Sequence, residues 1–438
     1  MTISMYSEHR RRALAVLETR AAAALVFTNR SKTRNHDAEY RFRPDSDFWW
    51  LTGFGEPESA LVLLPPSEQK PARCVLFLRE RNRDAEIWSG RRLGPERAVA
   101  TLGVDEAYPF SELEKRLPDL LKGHAKLVYR AGVDEARDRE VFGVLTRLRA
   151  LARQPSPVPT ELIDPALVFH ELRLFKSERE LEVMRRAAEF TVAGHVAAMR
   201  ATRPGMNERE VEAIVEYEFR RHGSNGCAYN SIVAGGANAC ILHYIENDQQ
   251  LRASDLLLID AGAECEHYAC DITRTFPVGG RFSPEQRALY EVVLAAQLEA
   301  IELVRPGTRF DAVHRRALRT LVEGLCRLGL LQGSVDEALE KETYRRFYMH
   351  RTSHWLGLDV HDCGAYVVER ESRVLAPGMV LTIEPGLYVA EDEDTVDVRW
   401  RGIGIRIEDD VLVTPTGHEV LTAAVPKSFE DLERLCTR

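Results

Sequence analysis

Up to about position 155 the chain alternates short apolar runs with longer charged stretches. Ala60-Leu61-Val62-Leu63-Leu64, Cys74-Val75-Leu76-Phe77-Leu78 and Leu127-Val128-Tyr129 are too short for helices and are bounded by polar residues. They read as buried strands between helices, which predicts an α/β domain. The proline-spaced segment Gln154-Pro155-Ser156-Pro157-Val158-Pro159 then reads as a connector. Beyond it, Ser177-Glu178-Arg179-Glu180 is a capping box, and Leu181, Met184 and Ala188 follow at helical spacing on one face. The pattern predicts two domains, 1–173 and 174–438.

Within the second part, Arg203-Pro204-Gly205 and Arg305-Pro306-Gly307 stand 102 positions apart, each before a charged helical stretch. One stretch ends Arg220-Arg221-His222-Gly223 and the other Cys326-Arg327-Leu328-Gly329. The offset is too long for a solenoid repeat. It predicts two related α+β halves about a pseudo-twofold axis, with their strands merging into one sheet.

Composition narrows the partners. Hydrophobic residues make up 45% of the 438, enough for a core in each domain. A net charge of −9 lacks the basic footprint of a nucleic-acid binder. No apolar run approaches the roughly 20 residues that span a bilayer, so no membrane partner is expected. Arg10-Arg11-Arg12 near the start lie among Glu8, Glu18, Leu14, Leu17 and Ala21, a pattern that predicts a folded surface helix and not a transit peptide. The eight cysteines are scattered without a CxxC pair, which predicts free thiols in a reducing compartment, the cytoplasm.

Four segments carry candidate chemistry. Leu256-Leu257-Leu258-Ile259-Asp260-Ala261-Gly262 and Tyr268-Ala269-Cys270-Asp271-Ile272-Thr273 read as an antiparallel pair, with Asp260 and Asp271 facing each other. Facing carboxylates repel unless a cation lies between them; otherwise they are a strand-end and a turn aspartate in solvent. His350, His354 and His361 fall within twelve residues, a density that admits a functional or a structural reading. Val380-Leu381-Thr382-Ile383-Glu384-Pro385-Gly386 is an apolar strand ended by a glutamate and a turn. Gly404-Ile405-Arg406-Ile407-Glu408 alternates with period two, so Arg406 and Glu408 share a face of an otherwise apolar strand. Such charges are costly to bury unless matched by opposite charge. Asp260, Asp271, His354, Glu384 and Glu408 together make a hard, oxygen-rich donor set, which suits Mn²⁺ or a similar divalent ion better than a thiolate-held structural zinc. Four carboxylates offset the charge of two such ions.

These motifs, in this order, resemble the proline-specific pita-bread metallopeptidases of the bacterial aminopeptidase P family. The likeness rests on IDAGAE with DITRTFP, SHWLGLDVHD, LTIEPGLY and GIGIRIEDD, and in the first half on SDFWWLTGF (46–54) and EIWSGRRLG (86–94). It implies an aminopeptidase P-type N-terminal domain over 1–173 and a pita-bread catalytic domain over 174–438. It also implies hydrolysis of the bond between a first residue and a following proline, by a water activated on two metal ions. By the same resemblance Asp271 and Glu408 bridge the ions, Asp260 completes one, and His354 with Glu384 the other. Glu384 also handles the proton, while His243, His350 and His361 orient substrate and meet the oxyanion, and Arg406 lies behind the metals. Tyr229 is carried over as a substrate-side residue. Trp88 matches an aromatic lent across a subunit contact, or is an ordinary inter-domain indole. Arg153 contacts the far end of the substrate, or is an ordinary surface arginine. The resemblance further implies a homo-oligomer, dimer or tetramer.

One pair departs from the family pattern: Arg351-Thr352 stand where glycine usually comes first. All five expected ligands remain, so the departure bears on substrate preference. The nearest alternative is a prolidase restricted to Xaa-Pro dipeptides. A metal-free binding module of the same fold would have no use for five ligands and three accessory histidines.

Overall fold

Every residue of the strand Ala22–Phe27 is buried, and so is every residue of Ala60–Leu64. Such two-sided burial requires helices on both faces of the sheet. The computed structural model describes residues 3–67, 70–150 and 157–437; the first half of the expected connector, 154–156, lies outside them. By its internal contacts the chain divides into Met1–Arg173 and Leu174–Arg438.

The first unit is a six-stranded mixed sheet in the order Glu106–Pro109, Arg73–Leu78, Ala60–Leu64, Ala22–Phe27, Lys126–Val128, Glu161–Ile163. The central pairs, with Ala24 opposite Leu63 and Ala60 opposite Phe77, are antiparallel; the outer pairs are parallel. On one face Leu117 and Leu121 and, from another helix, Val141, Val144 and Leu148 cover Leu25, Val62 and Phe77. The expected N-terminal helix spans Ile3–Arg20. It buries Ala13 and Leu17, whereas Ala21 is exposed and ends the helix at φ 50°. Arg10 is not on the surface. Its guanidinium is buried and donates to the carbonyls of Leu51 (2.8 Å), Leu102 (2.9 Å) and Gly103 (2.8 Å), satisfying backbone groups that water does not reach.

In the second unit two helices precede a run of strands, and the same order then repeats. Glu178–Ala201 and Glu208–Arg221 lead into Ile232–Gly235, Leu256–Asp260 and Thr273–Pro277. Pro284–Ile301 and Phe310–Arg327 lead into Val380–Ile383, Asp409–Val413 and His418–Val420. The capping box at Ser177 and Glu180 is formed, and Leu181, Met184 and Ala188 are buried beneath it. The two RPG turns match bond for bond. Gly205 N–H donates to the Leu251 carbonyl and Leu251 N–H to Met206; Gly307 N–H donates to Leu375 and Leu375 N–H to Thr308. Three residues past each glycine, Glu208 and Phe310 donate to Gln249 and Arg373, two residues before those leucines. Both glycines have φ near 90°, which only glycine adopts without strain.

The two halves do not merge into one continuous hydrogen-bonded sheet as the repeat predicted; each keeps its own ladder. Single bonds stitch them together. Glu408 N–H donates to the Thr273 carbonyl at 3.0 Å, and the Thr275 hydroxyl donates to the Arg406 carbonyl and accepts from the Arg406 amide. Threonine side chains here take the place of ladder partners, because the strand breaks at Ile407 and Glu408 to turn Glu408 toward the cavity.

Candidate metal centre

The hairpin carrying the two aspartates is longer than the sequence suggested. Asp260 pairs with Thr273, and beyond it Ala263–Cys265 pairs with Tyr268–Ala269 around Glu266 and His267, both at positive φ as a tight two-residue turn requires. Asp271 falls in the irregular stretch between the ladders. Its amide is held by Asp410 Oδ2 at 3.0 Å. Tyr229 joins the pair: its hydroxyl lies 2.6 Å from Asp260 Oδ1 and 2.5 Å from Asp271 Oδ1. A phenol has one proton to donate, so the two carboxylates share it.

Opposite stands the other half's contribution. Glu384 follows the strand Val380–Ile383, Glu408 sits in the break before Asp409–Val413, and His354 lies in the loop between Tyr348 and Tyr366. Asp271, His354 and Glu408 each offer a donor atom, all within 4.8 Å of one another. His354 Nε2 is 3.4 Å from Asp271 Oδ2 and 3.6 Å from Glu384 Oε1. Its Nδ1 donates to the Trp355 carbonyl at 3.0 Å, which orients the ring with Nε2 toward the carboxylates. Arg406 and Glu408 face the same cavity, as the alternation predicted, between fully buried Ile405 and Ile407. Arg406 donates to Asp260 Oδ2 (2.6 Å), the Tyr388 hydroxyl (3.0 Å) and Thr273 Oγ1 (3.1 Å), and Thr273 Oγ1 donates to Glu408 Oε2 (2.6 Å).

The protonation pattern shows what the cluster lacks. Burial raises Asp260 above its ordinary value against the pull of Arg406, and raises Glu408 well above its own, with neighbouring acids adding to both; Asp271 is held down against burial by His354 and Tyr229. Burial, with Asp271 and Asp260, carries Glu384 up to about 7 against the pull of His354 and Arg406. Burial would lower His354, yet Asp271 and Glu384 lift it to about 9. Four clustered carboxylates thus share the one guanidinium bonded among them, Arg406, and three of the four are pushed toward the protonated form. A divalent cation supplies that missing charge, and the donors present are those it prefers. The residues fit the group.

A cavity of about 1210 Å³ opens over this cluster, lined also by Tyr229, His243, His350 and His361. His350 Nε2 is 2.8 Å from the Tyr388 hydroxyl, and burial with Arg406 beside it lowers its pKa to about 3. The His361 ring packs edge-on against His354 at 4.4 Å. Ten of the expected site residues therefore meet in one place. Trp88 does not belong to this unit; it is 90% exposed on the helix Arg83–Ser89. Arg153 lies outside the described residues. Sequence reasoning missed Tyr388 and Thr273, which tie Arg406 down, although both lie inside motifs it had marked.

Comparison with known proteins agrees with this geometry. Residues 182–415 match metallopeptidase family M24. The chain belongs to that family. Residues 6–129 match the N-terminal domain of aminopeptidase P, so this M24 protein has the two-part organisation of that branch. It is 48% identical to the Xaa-Pro aminopeptidase of Escherichia coli, over 98% of this chain and 96% of that one. With the Xaa-Pro aminopeptidase of Haemophilus influenzae it shares 46%, with the same coverage. Its fold matches the Pseudomonas aeruginosa aminopeptidase PepP at a TM-score of 0.96 and 46% identity, covering 100% of this chain and 98% of that one. An Escherichia coli aminopeptidase P in complex with substrate matches at 0.95 and 46%, with the same coverage. The pita-bread metallopeptidase fold expected from the sequence is therefore the fold of this chain.

Proposed function

We propose that this chain is a metalloaminopeptidase that hydrolyses the bond between an N-terminal residue and a following proline. The observation that carries the reading is the full-length match, through both units, to Xaa-Pro aminopeptidases, together with the assembly of all five expected ligands around one cavity. The alternative, a prolidase, has no comparable observation in its favour.

Asp260, Asp271, His354, Glu384 and Glu408 would hold two divalent ions. Oxygen donors outnumber nitrogen four to one, which favours Mn²⁺. Such ions acidify water from a pKa of about 15.7 to near 7 and polarise a carbonyl. The protein does the rest. Glu384 lines the cavity beside the other ligands, where it is placed to take and return a proton. His361, its pKa lowered by partial desolvation, can donate to a developing oxyanion without adding charge; His350, whose Nδ1 already donates to the Arg351 carbonyl, and His243 line the same wall. Arg406 holds Asp260 in place. Proline offers no N–H for recognition, so the ring is selected by shape against the aromatic and imidazole wall.

A homo-oligomer, dimer or tetramer, follows from the same reading. Ile87 and Trp88 are adjacent apolar side chains, 73% and 90% exposed, on a helix with no buried residue; a partner subunit would cover them. No described helix is long and apolar enough to cross a membrane. Eight unpaired cysteines suit the cytoplasm.

The test is hydrolysis of an Xaa-Pro-Yaa tripeptide beside the matching Xaa-Pro dipeptide, with added Mn²⁺ and after chelation. Metal-dependent release of the first residue from the tripeptide is expected. Cleavage of the dipeptide alone would make the chain a prolidase, and no cleavage of either would overturn the enzymatic reading.

A further inference from the structure

The wall of the cavity carries a charge that this chemistry does not use. Arg351 lines the cavity, three residues before the ligand His354. Its backbone is tightly held. The Arg351 carbonyl accepts from His350 Nδ1 at 2.8 Å, and the next carbonyl, that of Thr352, accepts from the Glu384 amide at 2.8 Å. Thr352 is fully buried, with its hydroxyl 2.8 Å from His314 Nδ1 and 2.6 Å from the Tyr348 hydroxyl. A β-branched residue plugged in this way leaves the loop little freedom to turn Arg351 elsewhere.

The surroundings leave the guanidinium uncommitted. Arg351 is exposed, and among the described residues its side chain has no hydrogen bond or ion pair. Arg406, the other guanidinium of the cavity, is taken by Asp260, Tyr388 and Thr273. Asp311, on the same lining, is paired through Oδ2 with Arg315, while its Oδ1 is buried without a hydrogen-bond partner. The neighbouring wall is aromatic or neutral: Phe310, Tyr366, and His314, which burial and Arg351 itself lower to about 4. The position relative to the reacting bond is bounded by the chain. Three Cα steps of about 3.8 Å place Arg351 within roughly 11 Å of His354. An extended peptide advances about 3.3 Å per residue, so the third and fourth substrate residues lie about 7–10 Å from the cleaved carbonyl, in the same range.

We propose that Arg351 is a specificity-determining residue that selects peptides bearing a carboxylate one or two residues beyond the proline, a proposal that rests on the aminopeptidase reading. The carboxylate is an aspartate or glutamate side chain at the third or fourth position, or the terminal carboxylate of a short peptide. A planar guanidinium matches either bidentately.

The experiment measures kcat/KM with Mn²⁺ for the wild type, R351M and R351K on two peptide pairs. The first pair is Ala-Pro-Glu-Ala-amide against Ala-Pro-Gln-Ala-amide; the second is Ala-Pro-Ala against Ala-Pro-Ala-amide. The wild type should prefer the charged member of at least one pair by about three- to tenfold, a gain typical of a partly shielded charged hydrogen bond. The preference should sit in KM, because binding on this wall is the same before and during the chemical step. It should shrink at high salt, vanish in R351M and persist in part in R351K. A preference in the first pair alone identifies a side-chain carboxylate, and in the second alone a terminal one. Equal rates within each pair for the wild type, or a preference unchanged in R351M, overturns the proposal. Failure to cleave any of the four peptides overturns the aminopeptidase reading itself.

Discussion

Replacing Arg274 with methionine should destabilise the catalytic unit more than removing any one metal ligand. The side chain is fully buried, and its five N–H groups meet five acceptors. These are the carbonyls of Pro426 (3.1 Å), Thr273 (3.0 Å), Glu408 (2.5 Å) and Val425 (3.0 Å), and Asp409 Oδ1 (2.7 Å). Methionine fills similar space but leaves every acceptor short of a donor. Breaking a buried ion pair by removing one partner costs about 3–5 kcal/mol. Asp409 keeps Lys427, Gln297 and Thr422, each at 2.7 Å, which tempers the loss of its main cation. A net cost near 4 kcal/mol, at roughly 2–4 °C per kcal/mol for a unit of this size, lowers the midpoint by about 8–16 °C.

The pH dependence gives a second readout. Burial opposes ionisation of Asp409, but Arg274 and Lys427 win and hold its pKa at about 2, below its ordinary 3.8. A depressed carboxyl contributes stability that is complete above the unfolded value and is lost as pH falls toward 2. The acid limb of the stability curve should therefore flatten in the variant. Thermal unfolding by circular dichroism from pH 3 to pH 7, with R274M, D409N and the double variant, measures both effects, and the double variant should cost less than the sum. A midpoint for R274M within about 2 °C of wild type at pH 7 would refute the reasoning.

Three further outcomes follow from the same geometry. Glu384→Gln keeps the shape but not the base, so kcat should fall by at least about a hundredfold in peptide hydrolysis; a variant near wild-type rate sinks the assigned proton role. At Gly262 a Cβ would stand 1.7 Å from the Cys270 carbonyl oxygen, so Gly262→Ala must spread the hairpin between Asp260 and Asp271. Weaker Mn²⁺ binding by calorimetry is expected, and unchanged affinity would show that the hairpin does not set the ligand spacing. In the N-terminal unit burial would raise Asp47, yet Arg173 at 2.7 Å and His170 hold it well below the usual carboxylate range. The pair therefore stabilises above the ordinary carboxyl pKa and fails as pH drops; Asp47→Asn should lower the unfolding midpoint at pH 7 and converge with wild type in acid.

Much of this was legible along the chain because strands and ligands follow local rules. The runs at Ala60–Leu64 and Leu256–Asp260 are apolar enough to be strands wherever they pack, and each strand-end acid marks where such a strand meets polar space. The alternation through Arg406 and Glu408 placed both on one face, and both do line the cavity. The double RPG turn disclosed a repeat that the backbone bonds of Gly205 and Gly307 then reproduced. The N-terminal helix was legible as a helix, but not the burial of Arg10, since its acceptors lie 41 and more residues away.

What the sequence determined by itself was the inventory: the elements, the acids and imidazoles at their ends, and the charge such a set would have to neutralise. What only the tertiary structure decided was the pairing. Arg274 and Asp409 are 135 residues apart, Tyr229 and Asp271 are 42 apart, and Thr352 in its loop is held by His314 from the helix Phe310–Arg327. Local periodicity records which face a residue takes, because that depends on its immediate backbone. Whether a buried charge there is satisfied depends on which distant strand arrives opposite it, and that is settled only when the two halves close on each other.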